Sequence, residues 1–346
     1  MESFMPLHSV IAVEQSIRED LAFVDGQFRI LAVAARPDSD LVNLRVGTLY
    51  GEHRAVADVP SALRDQLQVG TVVCCTGWPE VFDKHEALYL EIADLLPPEQ
   101  CTLHHCPVAG LPVVGAEAVR KIAELIDTEI RNPAVAQAAH GLLSQPKIFS
   151  AFFLKPASVV CHHAEPGGLA QHSLEVAQLV CAIPARYYGE PINRDIAIVA
   201  AVLHDIGKIQ LYRSADEPYR MNDTSHETRT IGLVGPMIAW LEQHEDIGVA
   251  EMLMHLLSVD SRAEHASCVA AAAITMADRI SATCSSSAIA FADAPSYYRH
   301  VIRDMGNGRT KKHIRAVERH RAPPYVSSTA AVADASDATG EEGAMD

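Results

Sequence analysis

Ala201-Val202-Leu203-His204-Asp205-Ile206-Gly207-Lys208 places a histidine and an aspartate side by side at the end of an apolar run. Neither side chain packs well in a core unless it has a polar partner. Asn193 is a suitable helix N-cap and Gly207 a suitable helix stop, so the pair is predicted in the last turn of a buried helix. Imidazole and carboxylate are ligands that Zn, Mn, Fe and Mg share. The stretch therefore predicts a divalent metal site, which needs further ligands.

The composition is that of a globular protein without a membrane span. The 346 residues leave room for two domains, and 49% of them are hydrophobic. The formal net charge of −16 argues against indiscriminate binding to polyphosphate, although it allows a locally basic groove. Met1–Val10 has no secretory signal, no run of apolar residues suggests a membrane span, and most of the eight cysteines lie in apolar runs. We expect a reduced, cytoplasmic protein.

Short β-type segments follow an N-terminal segment, residues 1–27, in which Ala12–Ala22 is a candidate helix. Residues 28–98 are predicted to form a small OB-like β-barrel, with a simple β-meander as the alternative. Gly77 and Asp83-Lys84-His85 are expected turns, and Tyr50, Trp78, Phe82 and Tyr89 could stack on bases. The expected strands are Phe28–Ala35, Leu41–Val46, Arg54–Val59, Thr71–Thr76, Val81–Phe82 and Ala87–Leu96, with a short helix over Ser61–Leu67.

Residues 99–147 are expected to be a linker and helices. The linker contains Cys101-Thr102-Leu103-His104-His105-Cys106, whose spacing matches no common zinc hairpin, so a linker without metal is favoured. Apolar periodicity predicts helices over Ala118–Arg131, Ala134–Leu143 and Ile148–Leu154. From there to residue 321 we expect helices and no strand, so the fold class is α+β: a barrel followed by an all-α helical bundle.

Two more polar residues lie on the apolar faces of predicted helices. His172 shares the face of Leu169 and Val176, and Asp278 lies in the Ala-rich helix Ser267–Ser281. An unpaired buried carboxylate is costly, so Asp278 needs a cation. With the His204-Asp205 pair, these residues supply two imidazoles and two carboxylates, which suits one divalent ion that keeps open positions.

Three nearby residues are candidates for catalysis. Lys208 could neutralise charge that develops on a phosphate. His163 or His226 could position a leaving group or complete the metal shell. The metal itself would be Mn, Mg, Fe or Zn, because the residue types do not select one.

The end of the chain is split by charge. Residues 299–321 carry eight Lys or Arg residues against Asp304 and Glu318, which fits either a solvated helix face or a phosphate-facing patch. Residues 322–346 carry five acidic and no basic residues and are expected to be a disordered acidic tail.

The order His172, His204-Asp205, Asp278 resembles that of the HD-domain metal-dependent phosphohydrolases, over residues 148–285. The segment His162-His163-Ala164-Glu165-Pro166-Gly167-Gly168-Leu169 is similar to one in YhaM-type 3′-5′ exoribonucleases, which place an OB-type domain before the HD domain. The same segment resembles the HD-type relaxase domain of conjugative elements. The resemblance implies an HD-type helical metal phosphohydrolase domain, here over residues 148–321.

Two departures bear on the site. The exoribonuclease pattern implies a histidine within Gly232–Met237 and a His-His pair after Ser258, where this chain has Pro236 and Val259-Asp260. In related HD proteins those positions serve phosphate handling or a second metal. A single-metal enzyme, or one with a changed substrate, therefore stays open.

Three functions are compatible with these features. The first is a metal-dependent phosphodiesterase that acts as a 3′-5′ exonuclease on single-stranded RNA or DNA through metal-activated water. The second is an HD phosphohydrolase of a small nucleotide. The third is a nucleic-acid-binding accessory or relaxase-like protein of a mobile element with a degenerate HD site. The expected partners are single-stranded nucleic acid or a nucleotide, no membrane, and a possible second copy of the chain.

Overall fold

The computed structural model describes residues 24–36, 39–82, 84–158, 162–211, 226–258, 266–304 and 310–316. The chain divides into two compact units, Met1–Ile289 and Ala290–Asp346. Several expectations lie outside the described residues: the helix Ala12–Ala22, a turn at Asp83, the Val259-Asp260 pair and the acidic tail. None of the described helices is long and apolar enough to cross a bilayer.

The first unit begins with a closed five-stranded barrel in the order β1-β2-β3-β5-β4. All neighbouring strands are antiparallel except β3 and β5, which are parallel. β1 reaches both β2 and β4 because an irregularity between Ile30 and Ala32 bends it. The elements are β1 Val24–Ala35, β2 Val42–Gly47, β3 Glu52–Asp58, α1 Ser61–Arg64, β4 Val72–Phe82 and β5 His85–Leu96.

The OB-like barrel predicted from the sequence is therefore confirmed, but one turn was placed wrongly. Gly77 is not a turn; it lies inside β4, opposite Leu90 of β5. A Cβ atom at this position would lie 1.9 Å from the carbonyl oxygen of Tyr89. The glycine marks a close approach of two backbones, which leaves the same signal in a sequence as a turn does.

Three of the four stacking candidates meet on the outer face of the β4–β5 hairpin. The ring of Tyr89 lies 4.8 Å from that of Trp78 and 6.3 Å from that of Phe82. Arg36 stands over Phe82, 5.6 Å from the ring centroid. Tyr50 is elsewhere, stacked on His104 at the edge of the helical core.

The longer elements in the described remainder of the first unit are helices, which share one large apolar core. The helix predicted over Ala118–Arg131 begins earlier, at Val113, and the one predicted from Ala134 begins at Pro133 with Asn132 as its N-cap. The bounds are α2 Val113–Glu129, α3 Pro133–Leu143, α4 Pro146–Phe152, α5 Gly168–Cys181, α6 Pro191–Leu203, α7 His226–His244, α8 Ile247–Ser258 and α9 Val269–Phe291.

The segment Cys101–Cys106 is a packed junction between the barrel and the helices. The carbonyl of His104 accepts from the Leu49 amide at 2.7 Å, and that of His105 accepts from Arg29 Nε at 2.8 Å. Leu103, His104 and His105 are all buried. The junction fixes the barrel against the helical core.

The expectation of no strand before residue 321 is wrong. In the second unit, β6 His300–Asp304 and β7 Thr310–Ile314 form an antiparallel pair. Arg303 lies opposite Lys311, so two cations face each other across the strands. The basic segment is therefore a strand pair in its described part and not a helix face.

Gly77→Ala should destabilise the protein, because the new methyl group meets the rigid carbonyl of Tyr89. We expect a loss of about 1–3 kcal/mol in the free energy of unfolding, measured by urea titration. Gly232→Ala is the matched control: it lies in α7 with nothing within 4 Å of the new Cβ, so it should stabilise by up to about 1 kcal/mol. Equal effects of the two changes would contradict the close approach at Gly77.

Candidate metal centre

His172 is held in one tautomer by a relay of hydrogen bonds. It lies on α5 with no exposed surface, and its Nδ1 is 3.0 Å from Ser281 Oγ on α9. Ser281 gives its hydroxyl hydrogen to Glu175 Oε2 at 2.7 Å, because a carboxylate only accepts. The hydroxyl oxygen must then accept from Nδ1–H of His172. The Nε2 atom of the neutral imidazole is left without a proton.

His204 reaches the same state by a different route. It is the C-cap of α6, and its Nδ1 donates to the carbonyl of Ala201 at 2.8 Å. A neutral imidazole carries one proton, so Nε2 is again bare. The Nε2 atoms of His172 and His204 are both buried and make no hydrogen bond. A bare, buried imidazole nitrogen is the form that binds a metal.

Two carboxylates face these nitrogens. His172 Nε2 lies 3.1 Å from Asp278 Oδ1 and 3.5 Å from Asp205 Oδ2, and His204 Nε2 lies 3.4 Å from Asp205 Oδ2. These contacts join acceptors to acceptors, and they lack hydrogen-bond geometry at the nitrogens. Of the four ligands proposed from the sequence, the structure thus brings His172, His204 and Asp205 together and places Asp278 beside His172. The donor set fits one divalent cation.

The pKa values of the two histidines are shifted in opposite directions. Burial lowers the pKa of His172. Burial also acts to lower the pKa of His204, but Asp205 and Asp278 outweigh it and raise that pKa. The two carboxylates therefore attract positive charge to this point, and a bound cation would supply it while the imidazoles stay neutral.

Asp205 has two further partners. Lys208 Nζ lies 2.6 Å from Oδ2, and His226 Nε2 lies 3.1 Å from Oδ1. Burial would raise the pKa of Asp205, but Lys208 and His204 hold it well below its usual range. Lys208 is thus engaged with a ligand carboxylate, and His226 opens α7 beside the site.

The helix ends differ from the sequence-based expectation. Asn193 is not the N-cap of α6, which begins at Pro191 after Glu190. Gly207 does not stop that helix either: the helix ends at Leu203, and Gly207 lies in a 3-10 turn where its amide donates to Thr230 Oγ1 at 3.0 Å. A Cβ atom on Gly207 would lie 2.1 Å from the carbonyl of His226. Glycine is needed there to bring α7 against the site.

A cavity of about 50 Å³ opens beside the carboxylates. Polar side chains form one wall, and Leu256, Leu257, Ala271 and Ile274 form the other. The polar wall consists of His204, Asp205, His226, Glu227, Thr275 and Asp278. The volume accommodates a few water molecules next to the ligand set.

His163 is not one of the described residues that line this cavity. It is buried behind His172 and has a left-handed backbone with φ of 45°. Its Nε2 lies 3.2 Å from Glu175 Oε2. This position suits support of a ligand better than contact with a leaving group. His162 is equally close to His172, 5.3 Å between ring centroids against 5.4 Å for His163, and burial lowers the pKa of His162 to about 4.

Sequence reasoning missed Glu175 and Ser281. Burial would raise the pKa of Glu175, but hydrogen bonds from His163, Ser281 and Gln171 lower it to about 2. The carboxylate is therefore ionised and can hold the serine that orients His172. Each residue lies three positions after a proposed ligand, Glu175 after His172 and Ser281 after Asp278, so helical spacing could have found both.

A second group, His104, Asp127 and His140, also has the composition of a metal site. Here each imidazole has its own carboxylate oxygen: His104 Nε2 lies 2.8 Å from Asp127 Oδ2, and His140 Nε2 lies 3.0 Å from Oδ1. Burial acts to raise the pKa of Asp127, but these two hydrogen bonds lower it. Hydrogen bonds account for these contacts, so this group needs no cation to hold the junction together.

Pro236 lies inside α7 on its exposed side, and no described residue of the range 232–237 lines the cavity. The range in which the resemblance implies a histidine therefore contributes nothing to the lining of this cavity. His172, His204 and Asp205 form one cluster, with Asp278 beside His172 and with His226 and Glu227 next to Asp205.

The structure thus has a closed barrel followed by helices that present a His…His-Asp…Asp ligand set. Residues 169–283 match the family model of the HD domain, so the chain contains an HD domain. The matched segment includes all four proposed ligands.

Two curated relatives are similar to part of this chain. A dihydroneopterin 2′,3′-cyclic phosphate phosphodiesterase of Methanocaldococcus jannaschii is 31% identical over 126 residues, which cover 33% of this chain and 51% of that protein. The 3′-5′ exoribonuclease YhaM of a Geobacillus species is 32% identical over 98 residues, covering 28% of this chain and 29% of that protein. The chain thus spans about half the length of the first and less of the second. No solved structure gave a significant match.

Glu175→Gln should weaken metal binding without removing a ligand, because a neutral amide orients Ser281 and His172 less firmly. Loss of such a partner typically costs about 10–100-fold in affinity. Calorimetric titration of the metal-free protein with Mn²⁺ or Zn²⁺ measures the change. Glu165→Gln is the control, since Glu165 is half exposed and lies 3.7 Å from His163 Nδ1. Equal affinities of Glu175→Gln and the control would contradict the relay.

Proposed function

We propose that this chain is a metal-dependent phosphodiesterase that cleaves single-stranded RNA or DNA. The activity that fits best is that of a 3′-5′ exonuclease. The observation that carries the proposal is the pair of bare Nε2 atoms, on His172 and His204, aimed at two carboxylates. The HD domain and the names of both relatives support phosphoric ester chemistry. A phosphodiester therefore is the substrate class that fits best.

The four ligands would hold one divalent ion, Mn, Mg, Fe or Zn. Such an ion polarises a phosphoryl oxygen and lowers the pKa of a bound water to near neutrality. Asp205 is kept ionised by Lys208 and His226, so it can serve as a ligand throughout the reaction. His226 and Glu227 line the cavity and are the groups within reach of a leaving oxygen.

Features of the barrel favour a nucleic-acid substrate. The cluster of Trp78, Phe82 and Tyr89 offers aromatic faces on which successive bases can stack, and Arg36 adds a cation over Phe82. Burial and the charges of Asp58, Glu91 and Glu80 raise the pKa of Tyr89. Because this neighbourhood is acidic, the cluster would hold bases and leave phosphates to other surfaces.

A second candidate substrate is a small cyclic nucleotide. The cavity of about 50 Å³ is small, and one relative is named for a 2′,3′-cyclic phosphate.

An accessory role with a degenerate site is disfavoured because the proposed ligands lie together. The seven described free cysteines support a reducing compartment such as the cytoplasm.

Asp205→Asn should abolish Mn²⁺-dependent shortening of a 5′-labelled single-stranded RNA. The loss of rate should exceed the about 10–100-fold loss expected for a residue that only orients a ligand, because this change removes a charged ligand. Product ladders on gels measure the rate, and 2′,3′-cyclic AMP is tested in parallel with chelator as the blank. His244→Gln, an exposed change at the far end of α7, should retain the full rate.

Each outcome of this assay separates the candidates. Shortening of the strand supports the exonuclease. Hydrolysis of the cyclic nucleotide without shortening supports the small substrate instead. Turnover of neither compound by the metal-loaded wild type, or a rate that survives Asp205→Asn, would contradict the proposed chemistry.

A further inference from the structure

A second cavity lies between the barrel and the helices, away from the proposed metal centre. Its volume is about 330 Å³, within the range of small-molecule sites. Arg29, Arg45 and Gly70 line it from the barrel, and Pro107, Ser144 and Phe149 line it from the junction and the start of α4. Neither the HD domain match nor the proposed reaction uses this space.

Arg29 is the unusual member of the wall. Only 8% of its surface is exposed, so its charge is nearly removed from water. Nε donates to the carbonyl of His105 at 2.8 Å, and Nη1 donates to that of Gly70 at 3.1 Å. Nη2 lies 3.4 Å from the carbonyl of Ser144 and 3.6 Å from Cys106 Sγ. All four acceptors are neutral.

The charge of Arg29 is therefore not balanced by a carboxylate in the described part of the chain. A guanidinium has five N–H donors, so a second hydrogen on Nη1 remains after these four contacts. Burial, then the nearby Arg29 charge, lowers the pKa of His105 to about 3, so His105 adds no charge to the junction. Buried charges are normally paired, because an unpaired one is costly.

The rim of the cavity adds one more cation. Arg45 is 58% exposed, and its Nε lies 3.7 Å from Glu52 Oε2, a loose contact that leaves the side chain able to turn. The charged residues of the wall are two arginines and one glutamate. The cavity therefore has an excess of positive charge.

The remaining walls are apolar. Val69, Pro107 and Phe149 border the space, together with Ile30 and Leu31 from β1. Val69 is 68% exposed, and a molecule bound in the cavity would cover part of this side chain. An occupant with an anionic head and a flat apolar body would satisfy both halves of the wall.

We propose that this cavity binds a small organic anion whose phosphate or carboxylate head pairs with Arg29 and Arg45. Its apolar body would lie against Val69, Pro107 and Phe149. The ligand would touch the barrel and the helical part at once, so it would stabilise the junction. This site is independent of the metal chemistry proposed above.

Calorimetric titration of the full chain in the presence of EDTA tests the proposal, because the chelator removes the metal that would draw phosphate to the HD site. The probes are AMP, benzoate and adenosine, which share a flat ring and differ in their charge. AMP or benzoate should bind with one-to-one stoichiometry, and neutral adenosine at least about tenfold more weakly. Inorganic phosphate and acetate, titrated separately, identify the head group, because neither carries a ring.

Two variants locate the binding. Arg45→Gln removes the rim cation and should weaken binding at least about fivefold. Ala109→Trp should fill the cavity from its exposed wall and abolish binding while Arg29 stays in place. Arg54→Gln is the matched control, since Arg54 is the exposed cross-strand neighbour of Arg45 and does not line the cavity. Circular dichroism confirms that each variant is folded.

Three results would overturn the proposal. They are the absence of saturable binding of either anion, equal binding of adenosine, and binding that Ala109→Trp leaves unchanged. In each case Arg29 would serve only as a clamp that ties the barrel to the Cys101–Cys106 segment.

Discussion

The site depends on two hydrogen bonds that fix where the protons of two histidines lie. Nδ1 of His204 donates to the carbonyl of Ala201, and Nδ1 of His172 donates to Ser281. Each bond removes the proton from Nε2, which then faces a carboxylate without a hydrogen between them. A buried arrangement of this kind is unfavourable unless a cation fills it. The helices around it bring His172, His204 and Asp205 together and place Asp278 beside His172.

A second cluster of the same residue types shows that composition alone does not define a metal site. Asp127 accepts from His104 and His140 through different oxygens, so every polar atom in those contacts is satisfied by a proton. At the HD site the corresponding nitrogens have no such partner. The hydrogen bond made by one nitrogen of each ring decides whether the other nitrogen carries a proton. That difference distinguishes a structural hydrogen-bonded cluster from a proposed set of metal ligands.

The sequence was informative where a polar residue interrupted an apolar helix. His172, His204, Asp205 and Asp278 could be chosen because each needed a partner that its own helix could not provide. The alternation of the barrel strands was equally clear. Local patterns failed where the cause was a contact between residues distant in sequence. Gly77 was predicted to be a turn because its neighbour Tyr89 in strand β5 cannot be identified from the local sequence.

Other features were hidden for related reasons. The junction looked like a linker, since Asp127 follows His104 by 23 residues and Arg29 comes from β1. The strands β6 and β7 carry cations at several positions, so they have no hydrophobic alternation to predict them. Glu175 was within reach of helical spacing, but its role depends on Ser281 from another helix.

Anomalous diffraction from crystals grown with Mn²⁺ tests the central claim most directly. The account predicts one strong peak within about 2.5 Å of His172 Nε2, His204 Nε2 and the carboxylates of Asp205 and Asp278. It also predicts no peak between His104 and His140. Absence of density at the first position, or density only at the second, would contradict the account.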